Sequence, residues 1–171
     1  GHIGRYTIKR EHLPEILREY ESLAQKYLNR KAAGKSFRFY HFNLNLYGGP
    51  CLYKRISACG AGFEYLAVSP RGELYPCHQF AGQPDFLMGN LEQGITALEI
   101  RDFFQKSNIH TKEPCRDCWA KFYCSGGCHA NSYFSNGDIR KPDEFTCQMQ
   151  RKRIECAIMV EVMQLIQNNN L

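Results

Sequence analysis

The stretch that decides the fold is CRDCWAKFYCSGGCHAN, residues 115–131, in which Cys115, Cys118, Cys124 and Cys128 stand at Cys-x2-Cys-x5-Cys-x3-Cys spacing. Cysteines this crowded do not suit a set of long loop-closing disulfides. A Cys-x2-Cys pair, by contrast, lets two thiolates converge on one metal centre from a tight turn. Further out stand Cys59, Cys77 and Cys147, with Cys51 before the set and Cys156 beyond it, nine cysteines in 171 residues. The odd count leaves at least one thiol outside any set of disulfides. Residues 107–146 are rich in Cys, Gly, Pro and polar side chains, and so irregular a region needs internal staples to stay ordered.

Around this core the pattern predicts short elements. Phe63–Val68 and Glu73–Cys77 read as two strands about Ser69-Pro70-Arg71-Gly72, where Pro in the second and Gly in the fourth position favour a type I turn with a glycine bulge. That hairpin folds Cys77 back towards Cys59, as shared ligation requires. Gly94–Lys106 reads as a short helix burying Ile95, Leu98, Phe103 and Phe104. Residues 11–31 read as an amphipathic helix, with Leu13, Ile16, Leu17, Tyr20, Leu23, Ala24, Tyr27 and Leu28 at three- and four-residue steps. Pro14 suits its first turn and Gly34 its end. Phe37–Tyr47 reads as a strand with Tyr40, Phe42, Leu44 and Leu46 on one face. Its other face, ending in His41, Asn43 and Asn45, suits a barrel lumen, a cleft or a wet edge. Gly48-Gly49-Pro50 marks a boundary. From Cys147 to about Gln167 a helical stripe returns through Ile154, Ile158, Val162 and Leu165.

With 43% apolar and 23% charged residues the chain can build a core. No apolar run approaches the length of a membrane-spanning helix. Residues 1–10 contain no signal-peptide pattern, and the missing initial Met leads us to expect a fragment of something longer. The formal charge of +5 treats every cysteine as neutral. Eight thiolates around two cluster cores of about +2 each would sum to about −4 and bring the protein near neutrality. Basicity is therefore no argument for nucleic acid, and Arg151-Lys152-Arg153 reads as a solvated helix face.

Three chemistries compete for the cysteines. Structural zinc uses four thiolates, usually as two knuckles a dozen or more residues apart. Here the second pair begins only five residues after the first, and one site would leave five cysteines over. Disulfides call for an oxidising compartment, of which there is no sign. Iron–sulfur clusters take four thiolates each at irregular spacings, and the spacing favours them. Cys156, mid-helix among Ala157, Val160 and Met163, reads as a small core residue. His78, beside Cys77, could donate to a cluster sulfide or simply pack; nothing in their spacing compels a role for His110 or His129.

The ordered set Cys59, Gly72-x4-Cys77, Cys115-x2-Cys118-x5-Cys124-x3-Cys128, Cys147 resembles the SPASM domain, the C-terminal auxiliary-cluster domain of radical S-adenosylmethionine (SAM) enzymes that modify peptides and proteins. The segments YGGPCLYKRISACGAGFEYLAV (47–68), LYPCHQFAG (74–82), CWAKFYCSGGCHAN (118–131) and CQMQRKRIECAI (147–158) resemble the maturases of six-cysteine ribosomal peptides (SCIFF), which join a Cys sulfur to an α-carbon as a thioether. The resemblance covers nearly the whole chain and implies an α+β fold. Residues 1–47 would be the last helix and strand of a radical SAM partial barrel. Residues 48–171 would be the SPASM domain, with a β-hairpin, loop-held clusters and a C-terminal helix.

The resemblance further implies two [4Fe–4S] clusters. Cys59, Cys77 and Cys128 would hold the first, and Cys115, Cys118, Cys124 and Cys147 the second. The fourth position of the first cluster would be filled by Cys51 or by a Cys of the substrate peptide, whose bound thiolate is deprotonated and fixed to meet a nearby carbon radical. The implied partners are a Cys-rich precursor peptide and, for the full-length enzyme, an electron donor such as flavodoxin or ferredoxin, with no nucleic acid and no membrane. SAM and a third [4Fe–4S] cluster would belong only to the full-length enzyme. The Cys-x3-Cys-x2-Cys motif that holds the third is missing here, since Asn131 stands where its last Cys would fall after Cys124-x3-Cys128. The chain is therefore expected to be inactive alone. An oxygen-sensitive cluster protein of this kind suits the cytoplasm of an anaerobic cell. The alternatives are the SPASM domain of another maturase, of the sulfatase-maturating type for example, and a zinc-stabilised, non-catalytic interaction module.

Overall fold

A computed structural model describes residues 8–44 and 52–167, the side chain of Lys54 excepted. In chain order the elements are α1 (Leu13–Ala32), α2 (Leu52–Ser57), β1 (Ala67–Val68), β2 (Glu73–Tyr75), β3 (Gly89–Asn90) and β4 (Gly94–Ile95). There follow α3 (Leu98–Lys106), α4 (Glu113–Arg116), α5 (Lys121–Cys124), α6 (His129–Asn136) and α7 (Glu144–Gln167). Helices with one small antiparallel sheet make this an α+β protein. No helix among the described residues is long and apolar enough to cross a membrane.

Two compact units divide the chain: Gly1–Gly49 with Glu144–Leu171, and Pro50–Asp143. The sequence led us to expect a single body from residue 48 onward, but α7 groups with the N-terminal segment. The reason is its apolar stripe. Cys156, Ala157 and Val160 of α7 are buried together with Ala24 and Leu28 of α1 and with Phe42, and the two alanines let the helices approach closely. Lys152 Nζ adds a 2.8 Å ion pair to Glu21 Oε1.

Helix α1 begins with Pro14 in its first turn, after a 3-10 turn at Arg10–His12. It ends in a Schellman closure: Gly34 has φ +71°, its N–H donates to Lys31 O at 3.0 Å, and Lys35 N–H donates to Arg30 O at 2.9 Å. The strand expected over Phe37–Tyr47 does not form in its described part. Tyr40–Phe42 is instead a 3-10 turn, and residues 45–47 lie outside the described residues. A strand needs a ladder partner, and the four strands of the sheet all lie in the other unit. The aromatic residues pack on α1 instead, Tyr27 meeting Phe37 and Phe42 edge-on at 5.2 and 5.8 Å. On the polar side, His41 Nδ1 lies 3.3 Å from the Tyr20 hydroxyl.

In the second unit the sheet runs β1-β2-β3-β4, antiparallel throughout. Gly72 has φ +80° and donates to Ser69 O at 2.9 Å, forming the hairpin turn that the sequence predicts. The strands are shorter than expected. Pairing is confined to Ala67↔Tyr75 and Val68↔Leu74, because Gly60–Tyr65 coils into a tight loop. Likewise the helix expected from Gly94 starts at Leu98, since Gly94 and Ile95 pair with β3. Of its four expected core residues Phe104 is buried, while Leu98 and Phe103 are exposed, Phe103 lying under the Arg140 guanidinium at 5.2 Å. The core gathers Tyr75, Phe80, Phe86, Phe104, Ala130 and Ile139, with Phe80 and Phe86 ring centroids 4.2 Å apart.

Candidate metal centre

Cys59 sits in a loop of left-handed residues, Ala58 (φ +58°), Gly60 (φ +70°) and Gly62 (φ +85°). Gly60 accepts Glu64 N–H at 2.7 Å and Tyr65 N–H at 3.3 Å, and a β-carbon on Gly60 would meet the Glu64 side chain at 2.2–2.7 Å. Gly62 N–H donates to Pro76 O at 3.0 Å, which ties this loop to the end of the hairpin beside Cys77. The two loops bring Cys59, Cys77 and Cys128 into electrostatic reach of one phenol. That phenol is the hydroxyl of Tyr65. Its pKa is pushed up to about 12, by burial first and then by the negative charge that Cys77, Cys59 and Cys128 would carry.

A second group forms around Cys115. Pro114 lies in the first turn of α4, Cys115 N–H donates to Lys112 O at 2.9 Å, Cys118 N–H to Cys115 O at 3.2 Å, and Cys124 N–H to Ala120 O at 2.9 Å. Burial raises the Cys115 thiol pKa, the Lys112 charge opposes that, and Cys124 and Cys118 raise it further. These effects identify Cys118 and Cys124 as its neighbours.

The Cys124-x3-Cys128 spacing would place both thiols on one face of a helix. Instead α5 stops at Cys124, and Ser125, Gly126 and Gly127 all take positive φ, +61°, +85° and +70°. This run reverses the chain and sends Cys124 to one group and Cys128 to the other. Cys128 then opens α6, its carbonyl accepting both the N–H and the hydroxyl of Ser132 at 3.0 Å.

The remaining residues sort as follows. Cys147 lies in the first turn of α7 and is half-buried. Cys156 is buried among apolar neighbours, its thiol pKa raised first by that burial. Cys51 lies outside the described residues. None of the described cysteines is in a disulfide, and among the described residues no group of three or more His, Cys, Asp or Glu is set to hold a single metal ion. A four-iron cluster is larger than one ion and takes thiolates that stand further apart. Two groups of thiols held by loops are a donor set of the right chemistry for it.

His78 and His110 are exposed. His129 is buried, and one of its ring nitrogens, Nε2, donates to Ser107 O at 2.8 Å. A carbonyl can only accept, so Nε2 carries the proton. Burial first, and then the Lys112 charge, push the His129 pKa down to about 4, so the ring is neutral. The sequence reading missed Tyr65 and Lys112. A Tyr six residues after Cys59 and a Lys three before Cys115 look like ordinary surface letters until the loops close.

Residues 59–119 match the SPASM family, an iron–sulfur cluster-binding domain, and contain Cys59, Cys77, Cys115 and Cys118. The chain is 30% identical over 122 residues to the mycofactocin maturase of Mycolicibacterium smegmatis, covering 67% of this chain and 29% of that protein. It is 29% identical over 106 residues to the PqqA peptide cyclase of Gluconobacter oxydans, covering 58% and 29%. It is also 32% identical over 95 residues to the antilisterial bacteriocin subtilosin biosynthesis protein of Bacillus subtilis, covering 52% and 20%. The matches thus span less than a third of the length of these relatives. Residues 59–119 thus match an iron–sulfur cluster-binding domain, in a chain whose sequence is similar to those of a peptide cyclase and a mycofactocin maturase.

Proposed function

We propose that this chain is the auxiliary-cluster part of a radical SAM enzyme that matures a ribosomally made, Cys-rich peptide. Cys59, Cys77 and Cys128 would hold one [4Fe–4S] cluster, and Cys115, Cys118, Cys124 and Cys147 a second. The observation that supports this reading is the sorting of six of the described thiols into two neighbourhoods, Cys59, Cys77 and Cys128 around Tyr65, and Cys118 and Cys124 around Cys115, although Cys124 and Cys128 are only four residues apart. Cys51 is a fourth ligand for the first cluster, or a peptide cysteine takes that place.

Bound there, such clusters would supply one-electron transfer and a Lewis-acidic iron for a peptide thiolate. The chain's own residues supply the scaffold. Gly60, Gly62 and the Ser125-Gly126-Gly127 run turn the backbone so that the thiols converge. Tyr65 sets its hydroxyl within electrostatic reach of Cys77, and the hairpin holds Cys77 against the loop of Cys59. Thioether formation is the reading the resemblance to six-cysteine peptide maturases favours, and similarity to a bacteriocin biosynthesis protein supports a peptide substrate. SAM, its own cluster and an electron donor of the flavodoxin or ferredoxin type would act in the full-length enzyme, in the cytoplasm. An enzyme of the sulfatase-maturating type is the second reading within the same domain family.

Iron, sulfide and zinc content with a visible spectrum, on protein reconstituted without oxygen, tests the proposal. About eight irons and eight sulfides per chain, with broad absorption near 400 nm, is the expected result. About four of each would leave one cluster. A colourless protein with stoichiometric zinc would overturn the proposal in favour of a zinc-stabilised interaction module.

A further inference from the structure

Lys112 is 1% exposed, and no other Lys, Arg, Asp or Glu among the described residues is buried. Taking an ammonium out of water is costly, so a lysine held this deeply is placed against acceptors and negative charge. Its position is fixed at both ends. The Lys112 carbonyl accepts Cys115 N–H at 2.9 Å and Arg116 N–H at 3.3 Å, so its backbone starts the turn that presents Cys115 and Cys118. Its Nζ donates to Gly126 O at 2.9 Å, in the left-handed loop that follows Cys124. A β-carbon at Gly126 would crowd Ile109 Cγ2 at 3.2 Å but would make only ordinary contact with Lys112 Cδ at 3.8 Å, so the lysine stem packs on this loop without depending on the glycine. Lys112 therefore joins the loop before Cys115 to the loop after Cys124, and its positive charge is felt at Cys115 and at His129.

We propose that Lys112 is a positioning residue for the second cluster, a buried cation held between the turn that presents Cys115 and the loop that follows Cys124, which favours the reduced state there. This rests on the reading that those cysteines are cluster ligands. The redox step is the addition of one electron, from an external one-electron donor and without a proton, to a [4Fe–4S]2+ core to give [4Fe–4S]+. With four thiolates the net charge goes from −2 to −3, and a fixed neighbouring cation stabilises the more negative state. Removing that cation makes reduction harder.

The test is an EPR-monitored redox titration of the chain reconstituted without oxygen, with dithionite as donor, alongside iron and sulfide counts. We compare wild type with Lys112→Met, Lys112→Gln, which keeps a donor for Gly126 O, and Lys112→Arg, which keeps the charge. The expected result is equal iron in all four and one couple that shifts in the Met and Gln variants. At fixed potential its reduced-to-oxidised ratio falls at least tenfold, about 59 mV for one electron, while the other couple stays put and Arg matches wild type. Equal potentials in the Gln and Arg variants overturn the proposal. If only Lys112→Met loads poorly, the Gln–Arg comparison decides. If every variant, Arg included, loses half its iron, Lys112 serves packing and not charge, which also overturns the proposal. A wild-type chain that takes up no iron marks failure of the cluster reading itself, and the metal count reveals that before any potential is measured.

Discussion

At the scale of single residues, backbone handedness decides where the thiols go. Ser125, Gly126 and Gly127 matter for their φ values, which part Cys124 from Cys128. The sheet has a similar dependence at one glycine. Gly89 has φ +142°, and a β-carbon there would stand 2.0 Å from Gly94 O, whereas Gly94, at φ +73°, has open space around it. Gly89→Ala should therefore cost about 3 kcal/mol or more, as expected for a clash with backbone. Gly94→Ala should cost only about 1 kcal/mol of left-handed strain. Urea denaturation of the two variants checks the contrast, and equal losses would contradict it. The residue-level pattern of the cysteines was legible in their spacing. The contributions of Tyr65 and Lys112 were not, because a hydroxyl beside thiols and a buried ammonium are properties of loop closure.

At the scale of elements, α1 and α7 were the most legible parts of the chain, since an apolar stripe at three- and four-residue steps needs no knowledge of its partner. Their pairing rests on small residues. Ala24 and Ala157 are wholly buried, so Ala157→Leu should overpack the contact and cost about 1–3 kcal/mol. Lys152 bridges Glu21 at 2.8 Å and Glu155 at 3.1 Å, with both carboxylates largely exposed. Lys152→Met should accordingly cost less than about 1 kcal/mol. Thermal melts followed by circular dichroism at 222 nm would rank the two, and a larger loss in the lysine variant would be the wrong order. The segment 37–44 misled the sequence reading for a physical reason. Alternating aromatics fit a strand, but a strand exists only with a neighbour to pair with, and here Phe39 and Phe42 pack edge-on at 4.9 Å in a 3-10 turn.

At the scale of the whole molecule the two units differ in what keeps them ordered. The unit of α1 and α7 has long helices and a packed apolar seam. In the unit Pro50–Asp143, residues 107–128 carry only single-turn helices and glycine-rich loops around their cysteines, so metal ligation should carry much of their order. Stripping the metal with a chelator should speed amide hydrogen exchange across residues 107–128 by at least tenfold. Protection in α1 and in the C-terminal half of α7 should change little. Exchange that rises uniformly along the chain would refute this division of labour.

The letters alone carry the spacing of the cysteines, the hairpin that returns Cys77 towards Cys59, and the two long helices. Each depends on local spacing or periodicity, which the letters carry directly. Tertiary structure alone decided that α7 groups with α1, that Phe37–Leu44 is not a strand, and that Tyr65 and Lys112 stand beside the two groups of cysteines. Those outcomes depend on which surfaces meet after the chain has turned. The turns are set by a few left-handed residues whose consequences appear only when distant loops come together.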